Sequence, residues 1–361
     1  MDLSLFYLPT WREGYGTTLT AYYEEMAETV RLADTLGWTR ATTTEHHFHY
    51  YGGAVPNPAV LLAAWARETK RIRLAPTVSL MQLRDPLKVA EDYALVDQLS
   101  GGRCDMGIAR GFVPHEFAAF GIDPAEVPER IAEGIDICRK FWAGAPFAHS
   151  GKFYSFDRLQ PWPPAVNGAI PIWNAASNSK ESFVGAAERG YHLMMNHYPM
   201  GFDALREKFG WYCESWERAG NATGERKAMI AFMTHIADTE EQAIEEAKAA
   251  LQEHAGAYGK VMRGQQWDED YACDVSVLLA MCESGDWRDV FRRRTLICTP
   301  EQAAERIRRY LDLGFTEISF IARFAGLTHA QTSTTIHRIS EEVVPMLGEQ
   351  APRYERDNAY S

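Results

Sequence analysis

Trp38-Thr39-Arg40-Ala41-Thr42-Thr43-Thr44-Glu45-His46-His47-Phe48 reads as an apolar, β-branched strand that ends in three titratable side chains, Glu45, His46 and His47. It runs into a Gly/Pro-rich loop, Tyr51-Gly52-Gly53-Ala54-Val55-Pro56-Asn57-Pro58. In parallel α/β proteins the carboxyl ends of strands carry the chemistry. A carboxylate beside two imidazoles suits proton transfer near neutral pH, because histidine titrates there and a nearby acid tunes it. A solvated strand end or a structural His–Glu hydrogen bond would produce the same five residues.

Outward from this stretch the chain alternates. Strand-like runs fall at 3–8, 41–44, 72–80, 104–109, 170–176, 192–195, 228–236 and 317–322. Helical runs fall at 21–36, 59–70, 87–99, 125–142, 181–189, 203–219, 240–254 and 301–313. Asp85-Pro86 and Thr299-Pro300 place a capping side chain before a proline at the first helical position, and Thr299 to Gln302 has capping-box spacing. Gly37, Gly101, Gly190 and Gly314 follow helices as left-handed caps do. Eight strands in alternation with helices predict an α/β fold, a (β/α)8 TIM barrel. An open doubly wound sheet fits less well, since no G-x-G-x-x-G follows the first strand. The whole of 1–350 reads as one domain, with 351–361 as a tail.

Two regions interrupt the pattern. Residues 147–156 read as a hairpin turning at Ser150-Gly151. Residues 257–294 form an insertion longer than a normal βα connection, either a lid over the site or a floppy excursion. Arg292, Arg293 and Arg294 close it, as a clamp or as a solvated charge run.

Composition narrows the partners. The chain has 361 residues, 46% of them hydrophobic, and a net charge of −12 from 37 basic and 49 acidic residues. Such an acidic chain, with no basic run, argues against nucleic acid and anionic membranes. No apolar stretch reaches membrane-spanning length and no signal segment opens the sequence, so a cytoplasmic protein is expected. The six cysteines lie far apart without a C-x-x-C pair, which reads as reduced thiols rather than disulfides; no metal site is expected.

In a barrel the strand ends share one rim. That rim would collect Glu45, His46 and His47; Thr77, Val78 and Ser79; Arg110 and Gly111; Ser177, Asn178 and Ser179; Asn196 and His197; His235; and Arg323. Arg110 beside Gly111, and Ser177-Asn178-Ser179 opening a helix, both suit a phosphate. A structural salt bridge at Arg110 and simple capping at the serines are the alternatives. Phe6, Tyr7, Trp11, Phe112 and Trp173 near strand ends hint at a bulky apolar ligand, although aromatics there are commonly core.

Several motifs occur together in one order. They are Glu45-His46-His47-Phe48 with Asn57-Pro58, Asp85-Pro86-Leu87-Lys88-Val89-Ala90-Glu91-Asp92, and Asp97-Gln98-Leu99-Ser100-Gly101-Gly102-Arg103. Gly107-Ile108-Ala109-Arg110-Gly111, Trp287-Arg288-Asp289, Thr299-Pro300-Glu301 and Val344-Pro345-Met346-Leu347 continue the series. Together they resemble the bacterial luciferase family of flavin-dependent monooxygenases over about residues 3 to 347. The resemblance implies a luciferase-like barrel, reduced FMN supplied by a separate FMN reductase, and oxygen activated as a flavin C4a-peroxide. A homodimer joined through barrel helices is usual, with Ala59, Ala63, Ala64 and Ala66 permitting close contact.

Residue by residue, the resemblance makes His46 the catalytic histidine with Glu45 as its orienting neighbour. Arg110 becomes the phosphate-binding arginine, with Ser177 and Asn178 at the phosphate-binding strand end. Thr77-Val78 becomes a non-prolyl cis peptide against the flavin, and 257–294 a mobile lid. Two positions depart. Ala109 stands where the luciferase catalytic subunit has a reactive cysteine, and Arg323 where its last strand has an acid. Both imply a different substrate, Arg323 either pairing with an acidic substrate or forming a surface ion pair. His197, His235 and Phe112 are the remaining candidates for substrate contact. The leading expectation is a monooxygenase that uses reduced FMN and O2 on a small organic, bulky apolar substrate. A deazaflavin-dependent oxidoreductase on the same barrel and a non-catalytic flavin-binding subunit are the alternatives.

Overall fold

The computed structural model describes residues 1–197, 201–221, 225–262 and 287–348. The barrel strands are β1 (Asp2–Tyr7), β2 (Arg40–Thr43), β3 (Arg73–Pro76), β4 (Met106–Ile108), β7 (Ile172–Ala175), β8 (His192–Asn196), β9 (Ala228–Ile236) and β11 (Glu317–Ile321). They lie side by side in the order β3–β2–β1–β11–β9–β8–β7–β4, each pair parallel. Bridges Leu74–Cys104 and Ser79–Ile108 join β3 to β4 and close the ring. An open sheet would leave those two strands as edges, so the barrel is the correct architecture. β5 (Phe147–Ser150) and β6 (Ser155–Leu159) form the expected antiparallel hairpin outside the barrel. A short strand the sequence did not announce, β10 (Leu296–Cys298), extends the ladder beside the end of β9. Three residues are too few to show a period.

Strands buried on both faces read as continuous apolar runs, and every residue of β9 and β11 is buried. β3 is shorter than the 72–80 run, ending at Pro76, although the Thr77 N–H still donates to the Thr43 carbonyl at 2.7 Å, and the Thr77–Val78 peptide that follows is cis. The chain re-enters at Ser79, whose N–H donates to the Gly107 carbonyl at 2.8 Å.

The two helices for which the sequence offers an N-cap, after Asp85 and after Thr299, begin there. α1 is Leu19–Thr35, α2 Pro58–Glu68 and α3 Pro86–Ser100. Asp85 caps α3 by accepting from the Leu87 N–H at 2.9 Å, and Gly101 ends it at φ 68°. Thr299 and Gln302 complete their capping box at the start of the helix Pro300–Leu313. The expected 125–142 helix is preceded by a separate seven-residue helix, so α4 is Pro114–Phe120 and α5 Val127–Trp142. α6 is Lys180–Glu188, α7 Phe202–Arg218 and α8 Glu240–Met262.

α8 corrects the expectation of a helix ending at 254. Its inward face is largely alanine (Ala243, Ala247, Ala250, Ala255, Ala257), which buries well but carries a weak hydrophobic signal. The ends of the expected 257–294 lid are therefore helical: Ala257 and Val261 are buried, and the helix Trp287–Arg294 buries Val290 and Phe291. Residues 263–286, the body of that segment, lie outside the described residues, as does the 351–361 tail. Arg292 pairs with Glu240 at 3.1 Å and Arg293 with Asp289 at 2.6 Å, so these cations bind their own protein.

The amino-terminal end of the barrel is closed by charge. Arg40 is fully buried between Asp105, at 2.9 Å, and Glu317, with the Trp173 ring 4.4 Å from its guanidinium. Arg73 holds the other Asp105 oxygen at 2.6 Å. Two acids against two arginines leave no uncompensated charge, the condition for burying such groups. Tyr7 and Trp173, which looked like ligand contacts in the sequence, are fully buried core side chains.

Candidate active site

At the opposite, carboxyl-terminal end, β2 delivers Thr43, Thr44, Glu45, His46 and His47 in succession. Successive side chains on an extended segment point to opposite sides, so Glu45 and His47 share one side while His46 takes the other. Glu45 meets His47 Nε2 at 3.2 Å and accepts from Ser79 Oγ at 3.1 Å, the Leu80 N–H at 3.0 Å and Arg84 Nη2 at 2.5 Å. Burial opposes its ionisation, but the His47 hydrogen bond and the Arg84 cation outweigh that and lower its pKa. Glu45 therefore does not orient His46, and that expectation is corrected by the alternation itself.

His46 is held by Glu116 of α4. Its Nδ1 lies 3.1 Å from Glu116 Oε1, which also accepts from the His47 backbone N–H at 2.8 Å and lies 3.3 Å from His49 Nε2. Burial works against the Glu116 carboxylate, yet the hydrogen bonds from His46 and His49 prevail and bring its pKa down to about 2. An ionised Glu116 accepts only, so the neutral imidazole carries its proton on Nδ1 and leaves Nε2 as a base. Nothing in the sequence points to this partner, because Glu116 sits 70 positions away on a helix too short for periodicity to reveal.

The Gly52-Gly53 pair is explained by the same packing. Gly52 has φ +69°, and a Cβ there would lie 2.7 Å from His46 Cδ2. Aromatic rings surround the histidines: Phe112 stands edge-on to His46 at 5.6 Å, Tyr51 lies 5.7 Å away, and Phe120 contacts His47 at 4.9 Å. Phe48, Phe112 and Phe120 are the large apolar side chains left exposed here, at 47%, 44% and 38%. Tyr258 of α8 approaches Phe112 at 6.0 Å and Tyr51 at 5.9 Å, so α8 roofs this side of the mouth.

The cis Thr77–Val78 peptide bridges the histidine side and the β4 side of the mouth. Ser79 makes the link, binding Glu45 through its hydroxyl and Gly107 through its N–H. Gly107 is required there, since a Cβ would lie 2.1 Å from the Pro76 carbonyl oxygen. Val78 packs against the cluster of Trp173, Met194 and Met229, as Ala175 does. The buried hydroxyls of Thr43, Thr44 and Thr77 find no hydrogen-bond partner among the described residues. These orphaned groups beside an apolar wall fit a planar ligand with polar edges, as a flavin ring is.

Past β4 a cavity of about 400 Å³ opens between α5 and α6, lined by Ala109, Arg110, Ser179, Ser182 and Arg189 among others. Arg110 itself is exposed. Ser177 and Asn178 do not line the cavity; the Ser177 carbonyl and the Asn178 side-chain oxygen accept from Lys208 at 2.7 and 3.3 Å. α6 starts at Lys180, so the residue that opens it is Ser179, two positions beyond Ser177.

Three other rim residues turn inward. Arg323 is 3% exposed, paired with Glu25 and stacked 4.4 Å from the Tyr22 ring, so an internal acid has claimed it rather than a substrate. His197 is buried with its Nε2 2.8 Å from Tyr310 Oη and from the Arg293 carbonyl, and burial lowers its pKa to about 4. His235 bonds Glu246 at 2.7 Å and Thr335 at 3.3 Å. Each makes its contacts with its own protein away from the His46 cluster, although Arg323 Nε and Nη1 and His197 Nδ1 find no hydrogen-bond partner among the described residues.

Known proteins match this chain closely. Residues 1–317 match the model of the luciferase-like monooxygenase family. The chain is 27% identical over 333 residues to a flavin-dependent trigonelline monooxygenase, oxygenase component, from Acinetobacter baylyi, covering 91% of this chain and 90% of the relative. It superposes on the monooxygenase RslO1 from Streptomyces bottropensis with TM-score 0.81 at 25% identity, covering 96% and 99% of the two chains. The oxygenating constituent of 3,6-diketocamphane monooxygenase from Pseudomonas putida, solved in complex with FMN, has the same fold at TM-score 0.76 and 23% identity, over 96% and 98%.

Proposed function

The chain belongs to the luciferase-like monooxygenase family and is an oxygenating, flavin-dependent oxidoreductase, and from that premise we propose that it uses reduced FMN and O2 on a small apolar substrate. When bound, reduced FMN supplies the two electrons with which O2 is activated, one oxygen atom going to substrate and one to water. The chain's own residues do the rest. Thr77 and Val78 back the flavin ring, and Ala109 leaves room at its edge where a cysteine side chain would project. Arg110 and Ser179 receive the phosphate by charge-assisted and hydroxyl hydrogen bonds, in place of the Ser177 and Asn178 pairing. His46 Nε2 accepts and returns a proton, and Glu116 fixes its tautomer. Phe48, Phe112 and Phe120 shield the reacting centre from water and offer an apolar seat to the substrate.

The supporting observation is that the Glu116–His46 pair shares one mouth with the apolar wall at Val78 and the unpartnered hydroxyls of Thr43, Thr44 and Thr77. The same pair argues against a merely flavin-holding subunit, which needs no oriented base. The relative's name, an oxygenase component, supports a separate FMN reductase as partner. No described helix is long and apolar enough to cross a membrane. Homodimerisation would use the outer faces of α2 and α3, where Val60 is 68% and Leu95 50% exposed. Ala59 and Ala66 cannot contribute, since the helical period turns them onto their own barrel.

The test combines the purified chain with FMN, NADH and a flavin reductase under 18O2, with a panel of apolar substrates. One labelled oxygen atom in the product and suppression of hydrogen peroxide release support the reading. Substrate oxidation without label, or dependence on a deazaflavin instead of FMN, overturns it.

A further inference from the structure

Glu116 gathers more imidazole than a single proton relay needs. His46 Nδ1 and His49 Nε2 lie 3.1 and 3.3 Å from the same Glu116 oxygen, and all three donor atoms fall within 4.8 Å of one another. All three residues are buried. A fourth imidazole, His115, is 8% exposed and packs edge-on to His49 at 5.1 Å. Both of its ring nitrogens lack a hydrogen-bond partner among the described residues. A buried imidazole with neither nitrogen engaged is costly, and this one packs directly against the His49 ring of the group.

We infer that His46, His49 and Glu116 form a binding site for a borderline divalent cation, Zn2+ foremost, with His115 able to turn in as fourth ligand. The donor set is the argument. Two imidazoles and a carboxylate suit Zn2+, Cu2+ or Ni2+ and suit Mg2+ or Ca2+ poorly, because those ions take oxygen. Ligand atoms around a tetrahedral ion with bonds of about 2.0–2.2 Å stand about 3.3–3.6 Å apart. The two His–Glu separations nearly meet that spacing. The His46–His49 separation is at most 4.8 Å, so binding an ion would draw those two donors closer together. One carboxylate against one divalent ion leaves a net positive centre, which the net charge of −12 on the chain favours.

The ion replaces the proton on His46 Nδ1 and occupies the carboxylate that sets its tautomer. In the proposed oxygenase it therefore acts as an inhibitor that competes with proton transfer. That consequence rests on the proposed function; the binding itself does not, and it is measured without flavin.

The experiment is calorimetric titration of the flavin-free protein with Zn2+, paired with the visible spectrum of the Co2+ form. The expected result is one ion per chain, with intense d–d bands of tetrahedral nitrogen–oxygen coordination. Affinity should fall at least 100-fold in His49→Ala and Glu116→Gln, and about tenfold in His115→Ala. Far-UV circular dichroism checks that each variant is folded; if His49→Ala is not, the wild-type Co2+ spectrum and His115→Ala decide. Equal affinity in wild type and these variants, or a Co2+ spectrum of the octahedral aqua ion alone, overturns the site.

Discussion

Glu116 Oε1 lies 3.1 Å from His46 Nδ1, and this single contact fixes the orientation of a strand-end histidine. It also joins two segments, the β2 end and α4, that have no covalent reason to meet.

His46→Ala should keep the fold and flavin binding but lose coupled oxygenation by about 10²–10⁴-fold, the usual worth of a positioned general base. Glu116→Gln should fall in the same direction by less, since the amide still packs but no longer enforces the tautomer. Oxygen uptake and hydrogen peroxide release, measured together, separate lost coupling from lost binding. Full product yield in His46→Ala would move the proton chemistry elsewhere.

Acid sensitivity follows from the same carboxylate. Glu116 titrates at about 2 in the fold against an ordinary 4.5, so the unfolded chain binds the proton more tightly. Its stabilisation is complete above about 4.5 and is lost as pH falls through about 2, amounting to about 3 kcal/mol at most. The stability difference between wild type and Glu116→Gln, followed by denaturant melts, should therefore shrink as pH drops below about 4.5. A difference that grew on acidification would contradict the assignment.

Gly52→Ala should destabilise the fold by about 1–3 kcal/mol and disturb His46 first. The left-handed φ of +69° and the 2.7 Å approach to His46 Cδ2 act together. Denaturant midpoints compared with Gly16→Ala, where φ is +74° and nothing lies within 4 Å, separate the two causes.

Arg110→Ala should weaken FMN binding by about 1.5–3 kcal/mol, the worth of a charge-assisted hydrogen bond. Ser179→Ala should weaken it more than Ser177→Ala, because Ser179 lines the cavity with Arg110 and Ser177 does not. Flavin fluorescence titration of the three variants ranks them directly.

The barrel was legible because its signals are local. Asp85-Pro86, Thr299-Pro300 and the capping glycines mark helix ends within a few residues, and eight apolar runs repeat between them. His46 and Arg110 could be placed on the rim from sequence because they end such runs. Glu116, Ser179 and the inward turn of Arg323 were not legible. Each depends on which distant segment packs against it: α4 on the β2 end, α6 on the cavity, and Glu25 of α1 on β11. The Glu45 assignment failed for a simpler reason, since adjacent residues on an extended chain face apart and Glu45 meets His47 instead.

The central claim is most directly tested by anaerobic titration of the purified chain with reduced FMN, in parallel with reduced deazaflavin. The account predicts one FMN per chain, bound markedly tighter than the deazaflavin, with the affinity reduced in Arg110→Ala. Binding of the deazaflavin alone, or FMN binding indifferent to Arg110, would contradict it.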